Sequence, residues 1–155
     1  MSIINLQNFK ITQLGYLYRN IKDKARELET ELEMPKFGFF ENNGVPFKYR
    51  GNDTEIWTKI AISRGLNKQI ELIQWIDGDC IFKEFINSGR EGLHHFGIFV
   101  DDFQPIRVYF SKKGFEVVHE GIAGIYHVAY IDTFDSLGVY LEFQEPAKKK
   151  RSKRK

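Results

Sequence analysis

Four side chains able to bind a cation or move a proton stand at matching places along this chain: Gln13, Glu71, His95 and Glu142. Each glutamate interrupts an apolar run, Glu71 within Ile70-Glu71-Leu72-Ile73 and Glu142 within Tyr140-Leu141-Glu142-Phe143. A carboxylate buried alone in such a run is costly. The cost disappears if both glutamates converge with Gln13 and His95 on one cation, which compensates the charge and occupies the lone pairs. Three oxygens and one imidazole nitrogen form a fairly hard ligand set. It suits one divalent ion, Zn²⁺, Mn²⁺, Co²⁺, Ni²⁺ or Mg²⁺, with two positions left for water or substrate. Such an ion polarises a carbonyl or holds an enediolate oxygen while a glutamate at its edge moves the proton on the adjacent carbon. That is isomerase or lyase chemistry. Taken singly, the same residues have plainer readings: a solvent-facing glutamate, a satisfied core histidine, a glutamine without a role. Their joint placement favours the metal site.

That placement comes from an internal repeat. Gln13-Leu14-Gly15-Tyr16-Leu17-Tyr18-Arg19-Asn20-Ile21 aligns with His95-Phe96-Gly97-Ile98-Phe99-Val100-Asp101-Asp102-Phe103 at a shift of 82 residues, from 13 to 95, so that Gly15 meets Gly97. Each segment runs from a strand into a helix start at Asn20 or Asp102, both good N-cap residues. Strand alternation puts Gln13, Gly15 and Leu17 on one face, and likewise His95, Gly97 and Phe99, which leaves His94 on the opposite face. Ile21, Ala25, Leu28 and Leu32 form the apolar stripe of the first helix; Phe103, Ile106 and Phe110 form that of the second, which Gly114 ends. Strand signals follow over 36–42, 55–63 and 68–75, then over 115–120, 125–132 and 138–143. Each half therefore reads βαβββ. The expected fold class is α+β: a single domain over 1–146 with modules at about 9–76 and 93–145, joined by a connector at 77–92 carrying a short helix over 81–86.

With 155 residues, 42% hydrophobic and 15% aromatic, the chain can build one substantial core. The single cysteine, Cys80, excludes an internal disulfide, and the start of the chain lacks a secretory pattern, so a cytoplasmic protein is expected. No apolar run reaches the roughly 18 to 20 residues of a membrane span. The formal charge of +2 conceals an asymmetry, because seven of the 23 basic residues lie between Lys148 and Lys155. Without them, 16 basic residues face 21 acidic ones, a balance of about −5. The segment 147–155 has nothing apolar to bury and reads as a disordered basic tail. Nucleic acid is not an expected partner beyond nonspecific contact through this tail.

The segment Glu91-Gly92-Leu93-His94-His95-Phe96-Gly97-Ile98-Phe99-Val100-Asp101-Asp102 resembles the start of the second module in epimerase-like members of the vicinal-oxygen-chelate superfamily. That superfamily includes glyoxalase, methylmalonyl-CoA epimerase, extradiol dioxygenases and bleomycin-resistance proteins. The likeness covers roughly residues 9 to 146. It implies a glyoxalase fold, with the two modules forming a curved, partly open barrel-like sheet, a homodimer, and a small-molecule carbonyl or thioester substrate. The second histidine of the pair is the family's ligand, which carries over to His95. The strands around Glu71 and Glu142 are similar to the other ligand strands, and Phe47-Lys48-Tyr49-Arg50-Gly51 is similar to a segment of a less characterised glyoxalase-like branch.

By this resemblance Glu142 is the catalytic base that also touches the metal, with Glu71 the ligand opposite and a second base. The first ligand position departs from the pattern, since epimerases and bacterial-type glyoxalases usually have histidine where this chain has Gln13. A Gln, Glu, His, Glu quartet is similar to lactoylglutathione lyase of the eukaryotic type. An extradiol iron site wants two histidines and a carboxylate, and the first histidine is missing. Trp57, Trp75, His127 and Tyr140 are candidate substrate-binding residues, although strand aromatics ordinarily pack in the core. His119, Arg50 and Lys59 read as surface. The expected activity is a metal-dependent isomerase, epimerase or lyase; the alternative is a non-catalytic binding or sequestration protein on the same fold.

Overall fold

The computed structural model describes residues 4–148, so the tail expected over 147–155 lies almost entirely outside the described residues. The first module comprises β1 (Gln13–Leu17), α1 (Ile21–Glu31), β2 (Gly38–Tyr49), β3 (Asn52–Gly65) and β4 (Lys68–Asp77). After α2 (Ile81–Asn87) come β5 (Gly92–Phe99), α3 (Gln104–Lys112), β6 (Val117–Ala123), β7 (Tyr126–Ile131), α4 (Phe134–Leu137) and β8 (Tyr140–Pro146). Both modules keep the βαβββ order; α4 is a short insertion before the last strand. Asn20 caps α1 as expected, its side chain accepting from Asp23 N at 3.1 Å. Asp102 accepts from Gln104 N at 3.1 Å, one residue outside the α3 cap itself. Leu32 leaves the expected stripe, 68% exposed, because α1 ends at Glu31.

Strand pairing runs β1-β4-β3-β2-β6-β7-β8-β5 and returns to β1, so the curved sheet closes on itself. Two seams of unequal extent join the modules. Strands β1 and β5 pair antiparallel along the whole of β1, whereas β2 meets β6 only at Phe47–Gly121, Lys48–Glu120 and Tyr49–His119. Strand β2 continues seven residues beyond the Asn42 end expected from its composition. Gly44, at φ 66°, forms a bulge between Asn42 and Val45 that absorbs the irregularity, and Pro46 lies where β2 has only β3 beside it.

Three apolar layers stabilise the ring. Helix α1 covers the outer face of β1, β3 and β4 through Ile21 and Ala25, which pack with Ala61, Ile70 and Leu72. Helix α3 covers β5, β7 and β8 through Ile106 and Phe110, against Ile98, Ala129, Leu141 and Phe143. The third layer fills the interior, and α2 contributes Ile81, Phe82 and Phe85 to it. The β2–β3 turn clamps α2 in place: Arg50 donates to both Glu84 carboxylate oxygens at 2.8 and 3.0 Å, and the Tyr49 hydroxyl donates to the same group. Among the described residues no helix is long and apolar enough to cross a membrane.

Candidate metal centre

Two adjacent rows across the sheet carry the site. In one, Glu71 of β4, Gly15 of β1 and His95 of β5 stand side by side; in the next, Gln13 of β1, Gly97 of β5 and Glu142 of β8 do so. The rows exchange roles about the β1–β5 seam, as a duplicated sequence requires. Each has glycine at its centre for reasons of space. A Cβ on Gly15 would lie 2.0 Å from His95 Cε1 and 2.1 Å from Nε2, and one on Gly97 would lie 2.8 Å from Gln13 Cβ and Oε1. The imidazole therefore lies across Gly15 and reaches the carboxylates beyond it. His95 Nε2 is 3.2 Å from Glu71 Oε2 and 3.9 Å from Glu142 Oε1.

Charge is poorly balanced here. Burial opposes charging His95, yet the Glu142 carboxylate and the contact with Glu71 outweigh it and raise its pKa. Burial also raises the Glu142 pKa, and the Glu71 charge adds to that, while His95 and hydrogen bonding from Tyr130 and Gln144 act the other way. Despite their 3.2 Å approach, Glu71 Oε2 and His95 Nε2 make no hydrogen bond of regular geometry to each other or to anything else. Two buried lone pairs facing each other without a proton or cation between them are costly.

A divalent ion fits these donors. Bonds of about 2.1 Å put neighbouring ligands of an octahedral ion about 3.0 Å apart and opposite ones about 4.2 Å apart. The 3.2 and 3.9 Å separations fall within those limits. Among the described residues no three His, Cys, Asp or Glu side chains are already closed into a metal cage. Glu142 is held back by Gln144, whose Nε2 donates to Glu142 Oε1 at 2.5 Å. Gln13 is buried on the expected face, but its Nε2 donates to Gln69 Oε1 at 2.6 Å and its Oε1 accepts from Gln144 Nε2 at 3.4 Å. The structure thus brings Glu71, His95 and Glu142 together and sets Gln13 behind Gln144.

Gln144 and Tyr130 escape the sequence reading. Gln144 carried a signal, being two residues past Glu142 and so on its strand face. Tyr130 did not, because it reaches the site through the β7–β8 register, opposite Glu142, with its ring 5.2 Å from His95. Two histidines are also placed differently from expectation. Between Gly15–His95 and Tyr16–Leu93 the β1–β5 register slips by one, which makes His94 the extra residue of a bulge. Both histidines consequently turn inward, fully buried, with their Nδ1 atoms 3.1 Å apart. A similar slip between Val117 and His119 turns His119 inward rather than to the surface, where burial, with His95 adding to it, pushes its pKa down to about 3.

A cavity of about 60 Å³ opens beside the carboxylates, walled by Glu71, Glu142 and Tyr130 and by Phe47, Ile60 and Phe82. None of the four candidate substrate-binding residues lines it. Trp57 instead faces an outer depression next to Gly44. Trp75 closes the turn into α2, its Nε1 donating to the Gly78 carbonyl at 2.8 Å. Tyr140 packs on the far side of His94, with ring centroids 4.9 Å apart. His127 is held under α3 between Glu145 at 2.9 Å and Glu120 at 3.1 Å. Alternation gives each an inner or outer side, but not the neighbours that occupy it. Arg50 serves the α2 clamp, and Lys59 is exposed beside an outer groove.

Residues 12–130 match the Glyoxalase/Bleomycin resistance protein/Dioxygenase superfamily, and the chain belongs to it. Comparison with curated protein sequences gives no match. Among solved structures, a hypothetical protein from Bacillus halodurans is 20% identical at a TM-score of 0.65, covering 94% of this chain and 99% of the other. The methylmalonyl-CoA epimerase from Mycobacterium tuberculosis is 17% identical at a TM-score of 0.64, covering 89% and 88%. A variant of the Streptomyces coelicolor methylmalonyl-CoA epimerase, solved with 2-nitronate-propionyl-CoA, is 14% identical at 0.66, covering 89% and 94%. These likenesses establish the fold.

Proposed function

We propose that this protein is a divalent-metal-dependent isomerase, epimerase or lyase that moves a proton on the carbon next to a carbonyl. The observation that carries the reading is the pair of buried, unpartnered donor atoms, Glu71 Oε2 and His95 Nε2, with Glu142 beside them. Glu71, His95 and Glu142 would hold the ion, and Gln13 would join them only by releasing Gln144. When bound, the ion supplies Lewis acidity toward a substrate carbonyl. Glu142, whose pKa is raised by burial and by the neighbouring Glu71 charge, acts as the base. Tyr130 and Gln144 orient its carboxylate. Phe47, Ile60 and Phe82 keep water from the face where the proton moves. The cavity of about 60 Å³ admits only the reacting end of a carbonyl or thioester compound, whose remainder must lie outside the ring.

The small volume of the same cavity favours a second reading, a binding protein without turnover. Metal analysis of the purified protein, combined with deuterium exchange from solvent into methylmalonyl-CoA and related α-carbonyl compounds, separates the two. The enzyme reading expects one divalent ion per chain and exchange at the carbon beside the carbonyl, lost by a factor of about 100 or more in Glu142→Gln. Stoichiometric metal without any exchange, across thioesters and free α-carbonyl compounds, would leave binding as the function.

A further inference from the structure

The geometry points to His94 as the positioning residue that keeps the proton of His95 on Nδ1, so that the Nε2 lone pair faces Glu71 and Glu142. This inference rests on the metal-centre reading above and adds a residue to it. Consecutive side chains on a regular strand point to opposite faces, so two neighbouring imidazoles on β5 touch only because of the bulge at His94. The polar contact of His95 Nδ1 is His94 Nδ1, at 3.1 Å. Two neutral rings at that distance share one proton, since paired lone pairs or paired N–H groups would repel.

The far side of each ring decides which of them supplies it. His95 Nε2 lies among two carboxylates, where a cation requires a lone pair, and a neutral imidazole with its lone pair on Nε2 carries its proton on Nδ1. His94 then accepts at Nδ1 and bears its own proton on Nε2. That nitrogen is buried and makes no hydrogen bond of regular geometry. The His94 ring is fixed by Phe82, Phe85 and Tyr140, with centroids at 5.3, 5.1 and 4.9 Å. Histidines that ligate metals are ordinarily oriented by a carboxylate, carbonyl or water on the second nitrogen. Here a neighbouring side chain does that work.

The test is nitrogen NMR on ¹⁵N-histidine-labelled full-length protein, with Zn²⁺ titrated in. The expected result is a scalar coupling between the two Nδ1 atoms across the N–H···N bond, an Nδ1-protonated His95, and a Zn²⁺-induced shift confined to its Nε2. His94→Phe should remove the coupling and weaken Zn²⁺ binding about 10- to 100-fold. His94→Asn, whose Oδ1 replaces the Nδ1 acceptor, should restore most of the affinity. A His95 protonated on Nε2 in the zinc-free wild type at pH above its titration, or a folded His94→Phe that binds Zn²⁺ as the wild type does, would overturn the assignment. Coupling present without any Zn²⁺ binding would support the proton's location while removing the metal reading itself.

Discussion

Substituting Gly15 by alanine tests the centre most directly, because the added methyl falls on the His95 ring. Its carbon would sit 2.0 to 2.5 Å from Cε1, Nε2 and Nδ1, against ordinary contacts of about 3.5 to 4.0 Å. The imidazole must therefore withdraw by about 1.5 Å. It has nowhere to go, being fully buried with His94 and Tyr130 against it. Overpacking of this kind costs about 1 to 3 kcal/mol, and a clash with a rigid ring belongs near the upper end. In a chain of this size each kcal/mol moves the midpoint of thermal unfolding by about 2 to 4 °C, so Gly15→Ala should melt about 4 to 12 °C below wild type. The same displacement opens the 3.2 Å approach of His95 to Glu71, and Zn²⁺ affinity measured by chelator competition should fall about 100-fold or more. Gly38→Ala is the control, since nothing lies within 4 Å of its added carbon, and it should stay within about 0.5 kcal/mol of wild type. If Gly15→Ala and Gly38→Ala behave alike in both melting and zinc titration, His95 does not lie across Gly15 and the described centre is wrong.

Two further predictions concern groups outside the cavity. The His127 pKa is raised by its hydrogen bond to Glu120, against burial, and then by Glu145. A raised folded pKa means that this stabilisation is complete below the unfolded value of 6.5 and is lost as pH rises through the folded value. Melting curves across that interval should therefore show a decline in the wild type that His127→Asn lacks; superimposable pH profiles would contradict the stabilising contacts of His127 with Glu120 and Glu145. The Cys80 thiol is 1% exposed and burial pushes its pKa up to about 11. Its labelling by a disulfide reagent at pH 8 should follow unfolding by urea, and rapid labelling of the native protein would show that α2 does not seat as described.

The repeat makes most of this fold readable in the sequence itself. The coincidence of Gly15 with Gly97 at one shift located both modules, and the capping residue Asn20 and the connector helix were found where expected. Glu71, His95 and Glu142 were legible because a charge or imidazole in an apolar strand needs a reason. What alternation could not reveal were the places where it breaks. One extra residue at His94 and another near His119 turned both rings inward, and a bulge at Gly44 extended a strand that seemed to stop at Asn42. Lateral neighbours were equally hidden: Tyr130 faces Glu142, and Gln144 intercepts Gln13, through side-by-side pairing that no single stretch of sequence records.

The antiparallel pairing of β1 with β5 has a consequence for how such a chain can be divided. His95 rests on the glycine of the first module, and Gln13 on the glycine of the second. A fragment carrying one module alone would keep a carboxylate and an uncovered glycine, but neither the ring nor the amide that belongs over it. Such a fragment regains a complete pocket only by docking with its complement, so each half of the repeat is incomplete without the other.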